Sequence, residues 1–359
     1  MKPLLSIIIP TKDRYNTLGC VVNGLLPYLS DLTEIVIQDN SVDNSPYFDL
    51  GITSNRVSYF YNNESLPISE NTIQAIEHAK GEYLLFIGDD DFVSPRIEEI
   101  AKAVNDKAVD CLIYDAGYYW WDSVKFARSD YYNDNDLLLI KSGILSMDIR
   151  FLDSKVQLQK VLDRGAIDYN GLPRFYHGIV KRNILDQLKK KCGTYLIGSC
   201  PDMSFAISLS LLLDKFAYMN YPVTVFGASK GSGGGLTASK KHFSKIEDAT
   251  FLRSDIIDKW DNNIPLIWSQ KTIYPQTTHE VLLAFRSDYK INYKAFYASM
   301  LFYEPYLITY LWPKMRQCLI NPLFIYQLLR KFIGFWTDYF IKKLKLRKVR
   351  RFTSVKAND

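Results

Sequence analysis

The sequence predicts an α/β fold with a Rossmann-like, mostly parallel, doubly wound central sheet, followed by a helical C-terminal region. Three observations support this prediction. Short apolar, β-branched segments alternate with segments of helical spacing through the first 115 residues, which is typical of a parallel sheet covered by helices. Polar residues follow several of the predicted strands. From about residue 240 onward, helical segments rich in Tyr, Phe, Leu and Trp dominate.

Five predicted strands occupy the first part of the chain. They are LLSIIIP, EIVIQD, VSYFY, YLLFI and CLIYD, which begin at Leu4, Glu34, Val57, Tyr83 and Cys111. Helical spacing over residues 17–29 and 69–79 separates some of these strands. Ser94 followed by Pro95 predicts the N-cap and the first position of a further helix. Because ligands bind beyond the carboxyl ends of parallel strands, we expect the polar residues after strands one, two and four to share one edge.

The pattern is less regular from about residue 116 to residue 235. FYHGIVKRNIL predicts a strand entering a helix, SCPDMSFAISLSLLL an acidic turn entering an apolar helix, and YPVTVFGAS another strand. The glycine-rich segment at 231–235 lacks the Gly-Lys-Ser/Thr ending of a P-loop, and we expect a flexible lid or linker there. We therefore predict a nucleotide-sugar-binding catalytic domain over 1–235 and an aromatic-rich helical region over 236–359.

Cysteine usage and hydropathy bear on the compartment. The five cysteines are scattered and form no Cys-x-x-Cys pair, so neither a disulfide framework nor a zinc site is indicated. The longest charge-free run, residues 15–30, is shorter and more polar than a spanning helix requires. The N-terminus does not have the pattern of a secretory signal peptide. These features predict a cytoplasmic protein.

Positive charge is concentrated near the C-terminus. The segment from Arg330 to Arg351 contains nine Lys or Arg and one Asp, whereas the whole chain carries a net charge of only +5. Apolar residues recur at helical spacing from Ile325 to Phe340, so a basic amphipathic helix is predicted. Such a helix suits an anionic membrane surface and indicates a peripheral protein at the inner face of the cell membrane. The alternative is a C-terminal helix that packs on the domain. Nucleic acid is not indicated, because the rest of the chain is not basic.

The segment GEYLLFIGDDDFVSP places Asp89, Asp90 and Asp91 directly after a predicted buried strand. Adjacent carboxylates repel one another, and no positive charge lies beside them in the sequence. A divalent cation would resolve this repulsion, since carboxylate oxygens suit Mg²⁺ or Mn²⁺. The alternative is a solvated loop in which one aspartate caps the next helix. Asp39 and the Thr11-Lys12-Asp13 turn favour the metal, because they are expected at the same edge.

Taken together, LLSIIIPTKDR, EIVIQDNSVD, HAKGEYLLFIGDDD and CPDMSFAISL resemble the inverting family 2 glycosyltransferases of the GT-A fold, of the bacterial surface-polysaccharide type. The resemblance covers roughly residues 4–230. The chain departs from the family pattern at three motif positions, where Asp13 replaces Asn, Gln38 replaces the first Asp of the second motif, and Gly88 replaces the first Asp of the third. The last departure leaves open whether Asp89 takes over the ribose contact.

The resemblance implies roles for individual residues. On the donor side, Asp39 would accept a hydrogen bond from the uracil imide, and the remaining nucleotide-site residues would be Pro10, Thr11, Asp13, Asn63 and Asp89. Asp90, helped by Asp91, would hold Mg²⁺ or Mn²⁺ on the diphosphate. Asp202 would be the catalytic base, and His177 would lie on the acceptor side. His242 is a weaker candidate for a further metal ligand.

These residues predict transfer of a hexose or N-acetylhexosamine from a UDP-sugar to an acceptor hydroxyl, with inversion. The basic tail and the resemblance together suggest a polyprenyl-diphosphate-linked glycan acceptor, as in O-antigen or capsule synthesis. Two alternatives remain open, namely a metal-dependent nucleotidyltransferase and a non-catalytic nucleotide-sugar-binding protein at the membrane. The absence of a Gly-x-Gly-x-x-Gly turn after strand one argues against a dinucleotide dehydrogenase.

Overall fold

The structure is a computed structural model that describes residues 2–239, 243–249, 251–345 and 349–353. Within these residues there are fifteen strands and twelve α-helices. The strands are β1 (Leu5–Thr11), β2 (Thr33–Asp39), β3 (Val57–Tyr61), β4 (Tyr83–Phe86), β5 (Phe92–Val93), β6 (Cys111–Tyr114), β7 (Gly117–Trp120), β8 (Leu137–Lys141), β9 (Ser146–Asp153), β10 (Gly178–Lys181), β11 (Lys215–Asn220), β12 (Thr224–Ala228), β13 (Phe243–Lys245), β14 (Ile267–Ser269) and β15 (Val349–Thr353).

The helices cover both faces of the main sheet and form the C-terminal region. They are α1 (Tyr15–Leu25), α2 (Ser45–Phe48), α3 (Ile68–His78), α4 (Ile97–Asp106), α5 (Ser154–Asp163), α6 (Arg182–Cys192), α7 (Pro201–Leu212), α8 (Gly233–Ala238), α9 (Gln270–Ala284), α10 (Tyr293–Tyr303), α11 (Ile308–Met315) and α12 (Pro322–Lys343). Short 3₁₀ segments lie at Leu26–Tyr28, Ile246–Asp248, Pro305–Leu307 and Arg316–Cys318.

The main sheet has eight strands in the order β3-β2-β1-β4-β10-β6-β11-β9. β3, β2, β1 and β4 are mutually parallel, while β10 runs antiparallel to both of its neighbours. The chain moves outward from β1 to β3 on one side and continues with β4 on the other. Ligands bind at such a reversal of strand order, beyond the carboxyl ends of the strands. This topology therefore selects the end of β1 and the end of β4 as the functional edge.

Two apolar layers cover the main sheet. Along β1, Ile7 and Ile9 pack with α1 and α4, whereas Ile8 packs in the layer that contains α3 and α7. This alternation follows from the two-residue period of a strand. It explains why β1 is apolar at nearly every position: both of its faces are buried.

The five predicted strands and the helices over 17–29 and 69–79 correspond to β1, β2, β3, β4, β6, α1 and α3. The predicted start of the helix after Ser94 was wrong. Ser94 instead accepts a hydrogen bond from the backbone N–H of Arg96, and α4 begins at Ile97. The glycine-rich segment is also more ordered than expected. Ser232 caps α8, which contains Gly233, Gly234 and Gly235.

A second sheet was not predicted. Its five strands have the order β15-β8-β7-β12-β5, and β15 pairs antiparallel with β8. The end of the basic segment is therefore a sheet strand, not a continuation of the helix. The boundary at residue 235 stays a prediction, because β15 returns from the C-terminal region to a sheet built by the N-terminal part.

α12 combines the two alternatives considered for the C-terminal helix. Phe324 is buried with α10 and α11, and Phe335 contacts Phe302 of α10. Much of the rest of the helix exposes large apolar side chains, including Phe332 and Trp336. None of the described helices is long and apolar enough to cross a membrane.

Candidate active site

The acidic turn lies where β4 ends, beside the end of β1. Thr11 donates a hydrogen bond from Oγ1 to Asp89 Oδ2 at 2.5 Å. The backbone N–H of Asp13 donates to Ser41 Oγ at 2.7 Å, which joins the turns after β1 and β2. The prediction that these three turns share one edge is therefore confirmed.

Arg14 supplies the positive charge that the sequence did not place beside the aspartates. Its guanidinium lies 2.7 Å from Asp89 Oδ1 and 3.6 Å from Asp90 Oδ2. Burial still raises the pKa of Asp89 to about 7, because removal from water outweighs the attraction of Arg14. The positive charge that is missing beside the triplet in the sequence therefore comes from the neighbouring turn.

Asp91 is fully buried, and donors already occupy both of its carboxylate oxygens. Oδ2 accepts hydrogen bonds from Gly88 N–H at 2.6 Å and Tyr176 O–H at 2.8 Å, while Oδ1 accepts from Gly227 N–H at 2.7 Å. Burial opposes ionisation, but His177 and these donors lower the pKa of Asp91 below its usual range. Its role as a second metal ligand stays a prediction that this geometry does not favour.

His177 lies beneath the acidic turn and not in the open cleft. Its ring is fully buried, with Nε2 2.9 Å from Asp91 Oδ2 and Nδ1 2.6 Å from Thr224 Oγ1. Both ring nitrogens are thus engaged inside the protein. His177 orients Asp91 in this conformation, and the predicted acceptor contact would require the ring to become exposed.

Asp90 is buried, and one of its carboxylate oxygens has no donor among the described residues, so we call it the open oxygen. Oδ2 accepts hydrogen bonds from Ser229 Oγ at 2.6 Å and Ser229 N–H at 2.9 Å. Among the described residues, Oδ1 accepts none. The end of β12 approaches closely, because a Cβ at Gly227 would lie 1.6 Å from the Asp90 carbonyl oxygen. Only glycine fits at that position.

The residues present fit a divalent cation through Asp90 alone. Within the described ranges, no three His, Cys, Asp or Glu side chains converge as a complete metal site. Mg²⁺ nevertheless binds commonly through one or two carboxylates together with substrate phosphates and water. The open oxygen of Asp90 suits that arrangement. His242 lies outside the described residues.

Gly88 stands where the family pattern has its first aspartate. A Cβ at this position would lie 3.1 Å from Asp91 Oδ2, 3.2 Å from the Tyr176 hydroxyl and 3.3 Å from Asp90 Oδ1. A longer acidic side chain would therefore crowd the same space with further negative charge. The departure at Gly88 is matched by Tyr176, which occupies that space and bonds Asp91.

The nucleoside-side candidates differ in accessibility. Asp39 is fully buried, and its carboxylate accepts hydrogen bonds from Tyr15 O–H at 2.6 Å, Tyr59 O–H at 2.7 Å and Ser41 N–H at 2.8 Å. Asp13 is exposed and accepts from Val42 N–H at 3.1 Å. The other two candidates, Pro10 and Asn63, are partly buried and exposed respectively. A uracil contact at Asp39 would require one tyrosine to move.

Asp202 lies in the first turn of α7, directly after Pro201 at the helix start. The side chain is partly buried, and burial together with the charge of Asp91 raises its pKa to about 7, although Arg174 opposes the shift. Removal from water raises the pKa of the partly buried Tyr176, and the charges of Asp91 and Asp202 raise it further. The two halves of the predicted site are therefore close enough to interact electrostatically.

Several contributing residues were missed from the sequence. Arg14, Tyr15, Tyr176 and Ser229 contact the acidic residues directly. Arg14 had a detectable signal, because it follows Asp13 in a turn already assigned to the site. Ser229 had only a weak signal, since its distance from Asp90 along the chain is bridged by the unpredicted pairing of β12 with β5.

Residues 6–164 match the model of glycosyl transferase family 2. No curated protein matches the chain. Similar solved structures include TarS from S. aureus, with 14% identity, a TM-score of 0.42, and coverage of 64% of this chain and 37% of that chain.

Two further structures contain TarS residues 1–349. The complex with UDP has 14% identity and a TM-score of 0.42, covering 64% of this chain and 61% of that chain. The complex with UDP-GlcNAc has 13% identity and a TM-score of 0.47, covering 93% and 80%. The likeness to this family rests on the sequence match. Residues 6–164, somewhat less than half of the chain, are similar to the family 2 glycosyltransferases.

Proposed function

We propose that the protein is an inverting enzyme that transfers a hexose or N-acetylhexosamine from a UDP-sugar to an acceptor hydroxyl. One observation carries this proposal. Burial and the negative charge of Asp91, in the acidic turn at the carboxyl edge of the sheet, raise the pKa of the Asp202 carboxylate to about 7. Asp202 would then act as the base, and the acidic turn would form the diphosphate site.

On the donor side, Asp90 would hold Mg²⁺ or Mn²⁺ through its open oxygen. The cation would supply Lewis-acid stabilisation of the leaving diphosphate. Arg14 lies within 3.6 Å of Asp90 and is the nearest protein cation to the same charge. Ser229 and Arg14 both contact Oδ2 of Asp90, which leaves Oδ1 as the oxygen that would bind the cation.

On the acceptor side, Asp202 would remove the hydroxyl proton. The acceptor oxygen forms a bond to the anomeric carbon while the bond from that carbon to the UDP oxygen breaks. The proton passes to the Asp202 carboxylate, and the electron pair of the broken bond leaves with UDP. A base whose pKa lies near the working pH is suited to this transfer.

Uridine is our preferred base, with Asp39 as the residue that would accept from its imide N–H. Both oxygens of Asp39 already accept hydrogen bonds from protein donors. Binding would therefore exchange the hydrogen bond of Tyr15 or Tyr59 for one from the base. A nucleotide-dependent change in tyrosine fluorescence or in protection of these hydroxyls is expected from that exchange.

We further propose a lipid-linked acceptor, with the protein held at the inner face of the membrane by α12. The support is the set of exposed apolar side chains on a basic helix, among them Leu329, Phe332, Ile333, Trp336 and Phe340. Such a helix binds in the interface of an anionic bilayer. Because β15 pairs with β8, deletion of the whole tail would also remove a sheet strand. Replacement of Phe332 and Trp336 by serine is the cleaner test.

The activity test is a panel of UDP-sugars with Mn²⁺ or Mg²⁺, scored for UDP and pyrophosphate release. Release of UDP in an acceptor-dependent manner supports glycosyl transfer. Release of pyrophosphate would instead identify a nucleotidyltransferase, and no turnover with any nucleotide sugar would indicate a binding protein. The Asp202→Asn variant must lose turnover while still binding UDP.

A further inference from the structure

A separate cationic cavity lies between α12, α10 and the end of α5. Its volume is about 300 Å³, and its lining includes Arg164, Tyr303, Gln327, Arg330, Lys331 and Thr337. These side chains offer two guanidinium groups, one ammonium, two hydroxyls and one amide. None of them contacts the acidic turn or belongs to the predicted donor site.

The positive charges of the cavity are only partly compensated. Arg164 pairs with Asp168 at 2.7 Å, whereas neither Arg330 nor Lys331 forms an ion pair with any described residue. Asp338 is the single carboxylate in the lining. Burial, Arg330 and Arg164 lower the pKa of Lys331 to about 8, although Asp168 opposes this shift. Like charges have been brought together here without a matching set of anions.

The geometry of α12 separates this cavity from the exposed apolar side chains. Gln327, Lys331, Gly334 and Asp338 recur at intervals of three and four residues and therefore share one helix face. Phe332, Trp336 and the other exposed apolar residues fall on the remaining faces. Gly334 has open space where a Cβ would stand, so its small size keeps the cavity wide.

The cavity connects to the catalytic base through one short segment. Asp168, which pairs with Arg164, precedes Tyr169, and the charge of Asp202 raises the pKa of Tyr169. Tyr169 contacts Tyr274 of α9 with ring centroids 5.7 Å apart. On the same helix, Lys271 lies 5.5 Å from the Tyr303 ring at the cavity. The cavity lining is thus linked, through α9 and Tyr169, to the part of the fold that contains Asp202.

We infer that this cavity binds a phosphate or diphosphate group carried by a lipid-linked acceptor. The inference rests on the proposed function and adds an anchoring site for the acceptor. Guanidinium groups bind phosphate oxygens in a bidentate manner, and an ammonium and hydroxyls complete the donor set. The position of α12 orders the parts of such an acceptor: lipid at the exposed apolar face, phosphate in the cavity, and sugar toward Asp202.

The test uses the full chain with saturating UDP and Mg²⁺, which occupy the donor side. Farnesyl diphosphate, inorganic pyrophosphate and farnesol are titrated by calorimetry. Because the cavity is assigned to a lipid-borne anion, farnesyl diphosphate should bind at least about tenfold more tightly than either of the others. Equal binding of pyrophosphate would assign the cavity to a free anion and overturn the lipid-borne source. Equal binding of farnesol would overturn the phosphate itself.

The double variant Arg330→Gln/Lys331→Gln should weaken farnesyl diphosphate binding at least about tenfold, since it removes two charge-assisted contacts. The matched control is Lys342→Gln/Lys343→Gln, which removes the same charge from α12 outside the cavity and should cost less than about threefold at physiological salt. Equal losses in the two variants would mean diffuse attraction and would overturn the site.

Gly334→Leu tests the cavity without a change of charge. The added side chain enters open space and raises helix propensity, so the fold is retained while the cavity is filled. We expect this variant to lose farnesyl diphosphate binding, whereas Gly334→Ala keeps most of it. Unchanged binding by Gly334→Leu would contradict the assignment.

Donor hydrolysis separates this inference from the proposed function. The cavity variants should release UDP from the preferred UDP-sugar as fast as the wild type, because they do not touch the donor side. If the wild type hydrolyses a donor but does not bind farnesyl diphosphate, only the acceptor-anchoring inference fails. If the wild type hydrolyses no donor, the proposed function fails whatever the cavity binds.

Discussion

Replacement of Asp202 by asparagine should raise stability at neutral pH while it abolishes transfer. The two shapes are nearly identical, and within the described residues no side-chain donor is bonded to the Asp202 carboxylate. The change therefore removes charge and basicity and little else. Where a residue serves catalysis and destabilises the fold, its replacement should lower activity and raise stability.

The catalytic loss follows from the proton transfer. Removal of a general base typically costs about 10²–10⁴-fold in rate, which corresponds to about 2.7–5.4 kcal/mol of transition-state stabilisation. The base acts when ionised, so wild-type kcat/KM should rise with pH and level off above about 7, the pKa of Asp202. Residual activity of the variant should lack this rise.

An ordinary salt-bridged carboxylate stabilises the fold when it is ionised, whereas ionisation of Asp202 destabilises it. The stability gained by Asp202→Asn therefore grows as the pH rises. The folded pKa of Asp202, about 7, lies above its ordinary value of 3.8, so the folded state disfavours the ionised form. Ionisation thus costs nothing below about pH 4, costs progressively more up to about pH 7, and reaches its full value above that. The upper limit is about 4 kcal/mol, from roughly three pKa units at 1.36 kcal/mol each.

The assays are UDP release, calorimetric UDP titration and thermal unfolding at pH 4 and pH 8. Asp214→Asn is the matched control, because Asp214 is an exposed aspartate just beyond the other end of α7. It should leave all three measurements nearly unchanged. The reasoning is refuted if Asp202→Asn keeps activity within about threefold of wild type, a loss smaller than a general base supplies. A melting temperature at pH 8 below that of wild type would also refute it.

Three further outcomes are expected at the acidic turn. Asp90→Asn should abolish Mn²⁺ binding in the presence of UDP, measured by electron paramagnetic resonance, while Asp91→Asn should mainly lower the melting temperature. His177→Ala should lower the free energy of unfolding by about 3 kcal/mol, because it leaves the buried charge of Asp91 with fewer partners. Chemical denaturation measures this loss. A loss below about 1 kcal/mol would contradict the pairing of His177 with Asp91, since breaking a buried pair costs more. Gly88→Asp should destabilise the fold by about 1–3 kcal/mol, because the new side chain crowds Asp91 and Tyr176. Unchanged thermal stability would contradict this and would mean that Tyr176 moves aside at little cost.

The edge that carries the candidate donor residues was predictable because it depends on local sequence. Apolar β-branched segments specify β1, β2 and β4, and parallel pairing then places Thr11 and Asp89 side by side. Long-range partners were not predictable in the same way. Ser229 reaches Asp90 only because β12 pairs with β5 and β7, and those strands carry no clear alternation in the sequence.

The distinction among the three aspartates also depended on long-range contacts. In the sequence they are equivalent neighbours, and only the fold supplies His177 and Tyr176 to one of them. The glycine-rich segment illustrates the same limit. Its composition predicts flexibility, yet Ser232 caps a helix that contains three of its glycines. Glycine content shows that many backbone conformations are allowed, whereas contacts with the rest of the fold select one of them.

The charge balance of the turn indicates how many cations the donor must bring. Asp91 is held by His177 and by three neutral donors, and Arg14 lies closest to Asp89. Asp90 accepts hydrogen bonds from Ser229, and the Arg14 guanidinium lies farther away, at 3.6 Å. On the proposed function, a nucleoside diphosphate would add further negative charge at the same edge, more than Arg14 alone would balance. Asp90 would then hold the divalent cation that supplies the missing positive charge, with the remaining ligands coming from the substrate and water.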